Sequence, residues 1–91
     1  MATNKFKTQL ESLNAAALYF GSKGYHVEVS IYGKTKAAIL TIFYTRKTQA
    51  QEIKLQLSMY KEEGDVLEHQ YYPNVTDSKG FHIMRLRKEE L

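Results

Sequence analysis

Residues 37–60 constrain the fold more than any other stretch, because a continuous apolar run is followed there by a regular alternation. Residues 37–44 carry apolar side chains at both odd and even positions. Such a run predicts a strand that is central in a sheet, or one that leaves a face for a partner. Residues 52–59 alternate between polar and apolar side chains without a break. Alternation with period two predicts a strand with one face in the core and one in water.

The second half of this stretch also fits a helix. Residues 48–51 match a capping box, which often marks a helix start. The apolar residues near it recur at helical spacing: Ala50, Ile53, Leu57 and Tyr60. A helix over residues 49–63, ended by Gly64, is therefore the alternative. We favour the strand, because Leu55 and Met59 would lie outside the apolar face of that helix.

Size and composition restrict the class of protein. The chain has 91 residues and no cysteine, so we expect one domain over residues 1–91 without disulfides or a thiolate zinc site. No signal segment or apolar run of about 20 residues is present, and we expect a cytoplasmic protein without a membrane segment. The net charge of +3 is compatible with nucleic acid without requiring it. Seven tyrosines and four phenylalanines favour a protein interface.

An amphipathic helix is expected over residues 4–20, where apolar side chains recur every three or four positions: Phe6, Leu10, Leu13, Ala17 and Phe20. We expect Gly21 to end this helix in the left-handed conformation. Residues 21–24 match the Gly-x-x-Gly loop of KH domains, which joins two helices. Residues 25–32 alternate as a strand instead. We therefore interpret the two glycines as a helix end followed by a turn.

The remaining pattern predicts short strands joined by short connections. The expected strands are residues 25–32, 37–44, 52–59, 66–72 and 81–87, with a charged tail over residues 88–91. Short connections favour antiparallel neighbours. We therefore predict an α+β fold in which the N-terminal helix packs on an antiparallel meander sheet of about five strands. Gly33-Lys34-Thr35 imitates the end of a phosphate-binding P-loop, but Glu28 stands where that motif requires a glycine.

The sequence contains no catalytic or metal-binding signature. His26, His69 and His82 share no i, i+2 or i, i+4 spacing, so surface or interface roles are expected rather than a metal site. The serines and threonines lie in no nucleophile motif. We expect neither an enzyme nor a cofactor.

A protein-binding module is the leading hypothesis: a small regulator, inhibitor or accessory protein, with a homodimer as one form of it. The apolar run, the tyrosine surplus and the exposed sheet edges favour it. Many phage and mobile-element regulators are compact domains of this kind. The candidate interface residues are Tyr19, Tyr32, Phe43, Tyr44, Tyr71 and Tyr72.

Nucleic-acid binding is the alternative hypothesis. Basic side chains near tyrosines at one end of a sheet would contact phosphates while the rings stack on bases. Acidic residues at the same end dilute that positive field. The candidate residues are Lys34, Lys36, Arg46, Lys47, Arg85 and Arg87.

Overall fold

A computed structural model describes residues 5–34, 37–73 and 80–89, which form two helices and a four-stranded antiparallel sheet. The elements are α1 (Lys5–Ser22), β1 (His26–Tyr32), β2 (Ala37–Tyr44), α2 (Ala50–Tyr60), β3 (Val66–Pro73) and β4 (Gly80–Glu89), with a short 3₁₀ helix at Lys47–Gln49 before α2. The α+β class and the N-terminal helix on an antiparallel sheet are confirmed. The expected number of strands is wrong, because the described residues form four.

The interpretation of residues 52–59 as a strand is wrong, and the alternative of a second helix is confirmed. Every residue of α2 before Tyr60, apart from Ile53 and Ser58, is a strong helix former. Ile53 and Leu57, one turn apart, are fully buried. Leu55 and Met59 lie outside the apolar face, as the helical spacing requires, and remain 67% and 76% exposed. Local propensity and two core anchors therefore outweigh the exposure of two apolar side chains.

The cap of α2 also differs from the expected box at residues 48–51. The Gln49 side chain reaches back to accept the Arg46 backbone N–H at 3.3 Å, and the Gln49 N–H donates to the Arg46 carbonyl at 2.9 Å. These bonds form the 3₁₀ turn that leads into the helix. The chain therefore starts its helical path earlier than the Thr48 signal indicates.

The strands lie in the order β1-β2-β4-β3, and every neighbouring pair is antiparallel. The expected meander is therefore wrong. After β2, the helix α2 carries the chain across the sheet. As a result, β3 runs parallel to β2, and one strand position lies between them. β4 then fills the position between them. This is a split βαβ arrangement with β1 added at one edge.

A glycine ends α1, but it is Gly24 rather than the expected Gly21. Gly24 has a φ of +95°, the left-handed conformation that glycine adopts without steric cost. The Tyr25 N–H donates to the Phe20 carbonyl at 3.2 Å, and the Gly24 N–H donates to the Gly21 carbonyl at 3.0 Å. These two bonds, with the Phe20 and Tyr25 rings 6.0 Å apart, form a Schellman cap. The cap fixes where β1 begins beside the helix.

β2 lies at the centre of the core, as its apolar run predicts. Ala38, Leu40, Ile42 and Tyr44 face the two helices and are almost fully buried. They pack with side chains from α1, α2 and β4: Leu13, Ala16, Phe20, Ile53, Leu57, Met84 and Leu86. Burial of one large aliphatic side chain contributes roughly 1.5–3 kcal/mol to folding. The side chain of Phe6 lies outside the described part of the chain.

One charged residue lies inside this core. Lys88, expected in a charged tail, occupies the helix-facing side of β4 opposite Ala38, and its side chain is completely buried. Its Nζ lies 2.6 Å from Oδ2 of Asp65, and the same oxygen accepts the Glu62 backbone N–H at 2.8 Å. The ion pair therefore ties β4 to the turn that precedes β3. That turn places Gly64 at a φ of +90°.

Replacing Asp65 with alanine is expected to lower the free energy of unfolding by about 3 kcal/mol or more, because it leaves the buried Lys88 ammonium without its partner. Urea denaturation measures the change. Glu62→Ala is the control: its carboxylate is 4.0 Å from Nζ and largely exposed, so a loss below about 1 kcal/mol is expected. Combining Asp65→Asn with Lys88→Met should recover most of the loss. Wild-type stability of Asp65→Ala would contradict this role.

Candidate functional site

Both helices pack on one face of the sheet, and the described residues leave the opposite face uncovered. Side chains directly opposite each other on neighbouring strands share a face, so the strand register identifies this second surface. We call it the open face. Its members alternate with the core residues: His26, Glu28, Ser30, Tyr32, Ile39, Thr41, Phe43, Glu68, Gln70, Tyr72, Phe81, Ile83, Arg85 and Arg87.

Four rings, one from each strand, cross one end of the open face. The His26 and Phe43 ring centroids are 5.0 Å apart, those of Phe43 and Phe81 are 6.2 Å apart, and those of Phe81 and Tyr72 are 5.2 Å apart. We call this set the aromatic row. Ile83, beside Phe43 in the register, is almost fully buried although it lies on the open face. The aromatic row therefore forms a continuous apolar band across the sheet.

Charged groups occupy the middle of the open face. Arg87 Nη2 lies 3.7 Å from Glu68 Oε1, and both side chains are more than one-third exposed. Arg85 Nη1 donates to Gln70 Oε1 at 3.3 Å, and the same oxygen accepts the Tyr72 hydroxyl at 2.6 Å. Exposed pairs of this kind contribute little to stability. The shared oxygen of Gln70 places the Arg85 guanidinium near Tyr72 of the aromatic row, whereas Arg87 lies beside Glu68, farther along the sheet.

The charged centre is slightly concave. A depression of about 310 Å³ lies there. It is lined by apolar, hydroxyl and charged side chains: Glu28, Ser30, Tyr32, Ile39, Thr41, Phe43, Glu68, Arg85 and Arg87. Two arginines and two glutamates line the same depression. The field at its centre is therefore mixed rather than strongly positive.

A second group of rings lies on the helix side, at the same end of the sheet. Tyr44, His69 and His82 stack in pairs, with centroids 4.9–5.8 Å apart, and the Tyr71 ring lies 4.6 Å from His82. We call this set the ring cluster. The Tyr44 hydroxyl forms a short hydrogen bond with His69 Nε2. Tyr71 also lies over Gly80, where an added Cβ would overlap its ring.

Burial determines how the ring cluster titrates. Burial lowers the pKa of His82 from its ordinary value, with smaller contributions in the same direction from His69 and Lys47. Within the described part of the chain, His82 Nδ1 is buried and has no hydrogen-bond partner. Burial also raises the pKa of Tyr44, and Tyr25 adds to this effect. Both rings are therefore held in their neutral forms near neutral pH.

The structure separates the predicted interface residues between the two sides of the sheet. Tyr32, Phe43 and Tyr72 lie on the open face, and Tyr44 and Tyr71 belong to the ring cluster. Tyr19 is on α1, where its ring meets Phe20 edge-on and Lys23 lies 5.6 Å above it. Tyr44 is buried in the core. The use of these residues in binding stays a prediction.

The predicted basic residues do not form one patch. Arg85 and Arg87 share the open face, as their spacing indicates. Lys34 follows β1 at one end of the sheet, whereas Arg46 and Lys47 follow β2 at the opposite end. Lys36 lies outside the described residues. Among the described candidates, Arg85 and Arg87 therefore line one depression of the open face together with Tyr32 and Phe43.

The sequence reasoning missed Phe81, His26 and Glu68 as members of this surface. Each follows from parity once the register is known, because Phe81 has the parity of Arg85 and Glu68 lies opposite Arg85. Alternation within β4 is sufficient to place Phe81 and the two arginines on one face, so Phe81 could have been found from the sequence. The partners across the strands needed the β2-β4-β3 order, which no local pattern encodes.

No group of three or more histidine, aspartate or glutamate side chains among the described residues is arranged to hold a metal ion. Neither helix that the structure describes has the length and hydrophobicity needed to span a bilayer.

The comparisons with known proteins assign no family. No protein-family model matches the chain, and no curated protein or solved structure matches it either.

The ring cluster predicts a pH-dependent stability. Because the pKa of His82 is lower in the folded chain than its ordinary value of 6.5, protonation favours the unfolded state. Stability should be fully present above pH 6.5 and should fall as the pH drops through the lowered pKa of the folded state. His82→Phe should flatten this fall, which thermal unfolding between pH 7.5 and pH 5 measures.

The control for this prediction is His26→Phe, which removes an exposed histidine of the open face instead. We expect it to keep the fall in stability that His82 causes. Tyr44, His69, Tyr71 and Lys47 surround His82 and are unchanged in both variants. An unchanged slope in His82→Phe would show that another group titrates in this range.

Proposed function

We propose that this protein is a small non-enzymatic binding module that recognises another protein through its open face, as a regulator, inhibitor or accessory protein. The aromatic row carries the proposal: rings from all four strands form an apolar band that the described residues leave uncovered. Aromatic and arginine side chains are enriched where protein interfaces concentrate their binding energy. The open face places Phe81, Tyr72 and Arg85 together in this way.

Charge favours a protein over a nucleic acid as the partner. The arginines of the open face, Arg85 and Arg87, are matched in number by Glu28 and Glu68, and Arg87 lies beside Glu68. A phosphate backbone crossing this depression would meet both carboxylates. The Tyr72 and Phe81 rings also stack on each other, 18° from parallel, so each already uses one face that a base would need.

The geometry also indicates the chemistry of the partner. An apolar or aromatic side chain would rest on Phe43 and Phe81, where its burial gives most of the binding energy. A carboxylate beside it would reach Arg85. Within the described residues, Arg85 bonds to the neutral Gln70 and has no ion pair, so its charge is available for a bidentate contact.

Site-specific photo-crosslinking tests this proposal. p-Benzoylphenylalanine in place of Phe81 should yield discrete protein adducts on irradiation in the cells that make the protein. The same group in place of Leu55, an exposed apolar residue on the outer side of α2, is the matched control and should yield none of them. Adding Arg85→Glu to the Phe81 variant should abolish the adducts, because the new carboxylate would repel the carboxylate that we expect in the partner.

Two results would oppose the proposal. Adducts that form from Leu55 and not from Phe81 would place the interface on the helix side. A Phe81 adduct that contains nucleic acid instead of protein would support the second candidate below. Circular dichroism of each variant confirms that the comparison is made between folded chains.

Single-stranded nucleic acid is the second candidate, because the aromatic row and two arginines share one face of an antiparallel sheet. Rings and guanidinium groups in this arrangement suit stacked bases and phosphates. Fluorescence anisotropy with labelled oligonucleotides tests it. Micromolar binding that weakens steeply with salt, and is lost in Arg85→Ala with Arg87→Ala, would support this candidate. No binding at low salt would remove it.

A further inference from the structure

The strand β1 lies at an edge of the sheet. Within the described residues it pairs only with β2, so the outer side of its backbone has no strand partner there. Edge strands are normally protected by charge, proline, bulges or a covering element, because open N–H and C=O groups pair readily with another chain. β1 contains no proline, and Glu28 is its only carboxylate or permanently cationic side chain.

An apolar recess borders this edge on the helix side. Residues of α1 and β1 line it: Asn14, Ala17, Leu18, Gly21, Ser22 and Val27. Leu18 is 76% exposed there. Ile31, on the same side of β1 and four residues after Val27, is 56% exposed. One end of the edge strand therefore carries an apolar recess, and the other carries an exposed isoleucine.

We propose that β1 pairs with β1 of a second copy of this chain, in antiparallel orientation about a twofold axis. The pairing joins two four-stranded sheets into one of eight strands. An axis perpendicular to the sheet keeps the helices of both copies on the same side. The surface is self-complementary, as a twofold interface requires, because the recess and the isoleucine lie at opposite ends of one strand.

The register follows from the length and pattern of β1. The strand has seven residues, and Val29 is its centre. When Val29 faces Val29 of the second copy, all seven residues pair. On the helix side, Val27 then faces Ile31 of the second copy, which enters the recess beside Leu18. Burial of Leu18 and Ile31 of both copies supplies the hydrophobic gain.

The open-face side of the same register contains no conflict. Glu28 faces Ser30 of the second copy, and His26 faces Tyr32. Moving the register by two residues in one direction places Glu28 opposite Glu28, which is destabilising. Moving it in the other direction, to centre on Ser30, leaves His26 and Val27 unpaired. The Val29 register is therefore the one that uses the whole strand without opposing like charges.

The other edge, β3, is less suited to self-pairing. It ends at Pro73, which has no N–H to donate. It has eight residues and therefore no central residue. In an antiparallel self-pair, opposed residues lie on the same face of the sheet, so a strand of even length leaves a residue at one end unpaired. Its last five residues are all exposed, and the depression that borders it includes the charged side chains of Lys54 and Glu68.

Light scattering and a single-residue change test the dimer. The wild type should have twice the monomer mass of 10.6 kDa. Ile31→Lys should give the monomer mass with unchanged circular dichroism, because it places a charge where the recess of the second copy would bury it. Leu55→Lys, at a similarly exposed position on α2, is the matched control and should remain dimeric. A monomeric wild type up to submillimolar concentration would overturn the proposal.

Cysteine crosslinking tests the register, and the chain has no cysteine of its own to interfere. Val29→Cys should form a disulfide-linked dimer on mild oxidation, because directly opposed Cα atoms of antiparallel strands lie about 4.5–5.5 Å apart, within the range that a disulfide spans. An equal mixture of Glu28→Cys and Ser30→Cys should form the mixed dimer preferentially. Crosslinking of Gln70→Cys on β3 instead would place the interface at the wrong edge and overturn the proposal.

The inference does not depend on the proposed function of the open face. Ile31 lies on the helix side of the sheet, so a monomeric Ile31→Lys variant keeps the aromatic row. Photo-crosslinking from Phe81 in that variant reports on the open face alone. The mass of Ile31→Lys compared with that of the wild type, together with the Val29→Cys crosslink, reports on the edge, so either proposal can fail without the other.

Discussion

The rest of the structure depends on the two-sided apolar character of β2. One side of this strand faces α1 and α2 and forms the core with Leu40 and Ile42. Because both helices occupy that side, the described residues cover Ile39 and Phe43 on the other side only with side chains of neighbouring strands. Two helices are enough to close one face of a four-stranded sheet, and no further element among the described residues closes the second. The open face follows from the placement of the helices.

The sequence predicted the parts of the fold that local patterns specify. The apolar run of β2, the amphipathic spacing of α1 and the alternation of β1 all appear at the expected places. The alternation in residues 52–59 gave the wrong element, because a helix with anchors at Ile53 and Leu57 tolerates two exposed apolar residues. The same wrong assignment excluded the β2-α2-β3 crossover from the predicted topology, because a strand at this position would pair with its neighbours as a hairpin. The β2-β4-β3 order therefore could not be predicted.

The same limit explains the candidate site. Spacing within β4 was enough to place Arg85 and Arg87 on one face. Whether those arginines meet rings, acids or solvent depends on β2 and β3, which are distant in sequence. Lys88, expected in the charged tail, lies in the core instead, because a lysine followed by acidic residues has the same local pattern as a solvated tail. Its partner Asp65, which also caps the turn, lies 23 residues earlier and has no distinctive local signal.

The two proposed surfaces meet at β1 because its residues alternate between them. Val27 and Ile31 belong to the helix side, where the edge would close, while His26 and Tyr32 belong to the open face. In the Val29 register, His26 at the end of one aromatic row lies opposite Tyr32 of the second copy. The open faces of both copies then form one surface across the twofold axis, with an aromatic row near each side of the junction. A partner that binds one copy would therefore meet a second copy of the same site, rotated by 180°, on the same continuous sheet. This arrangement favours bivalent or twofold-symmetric partners.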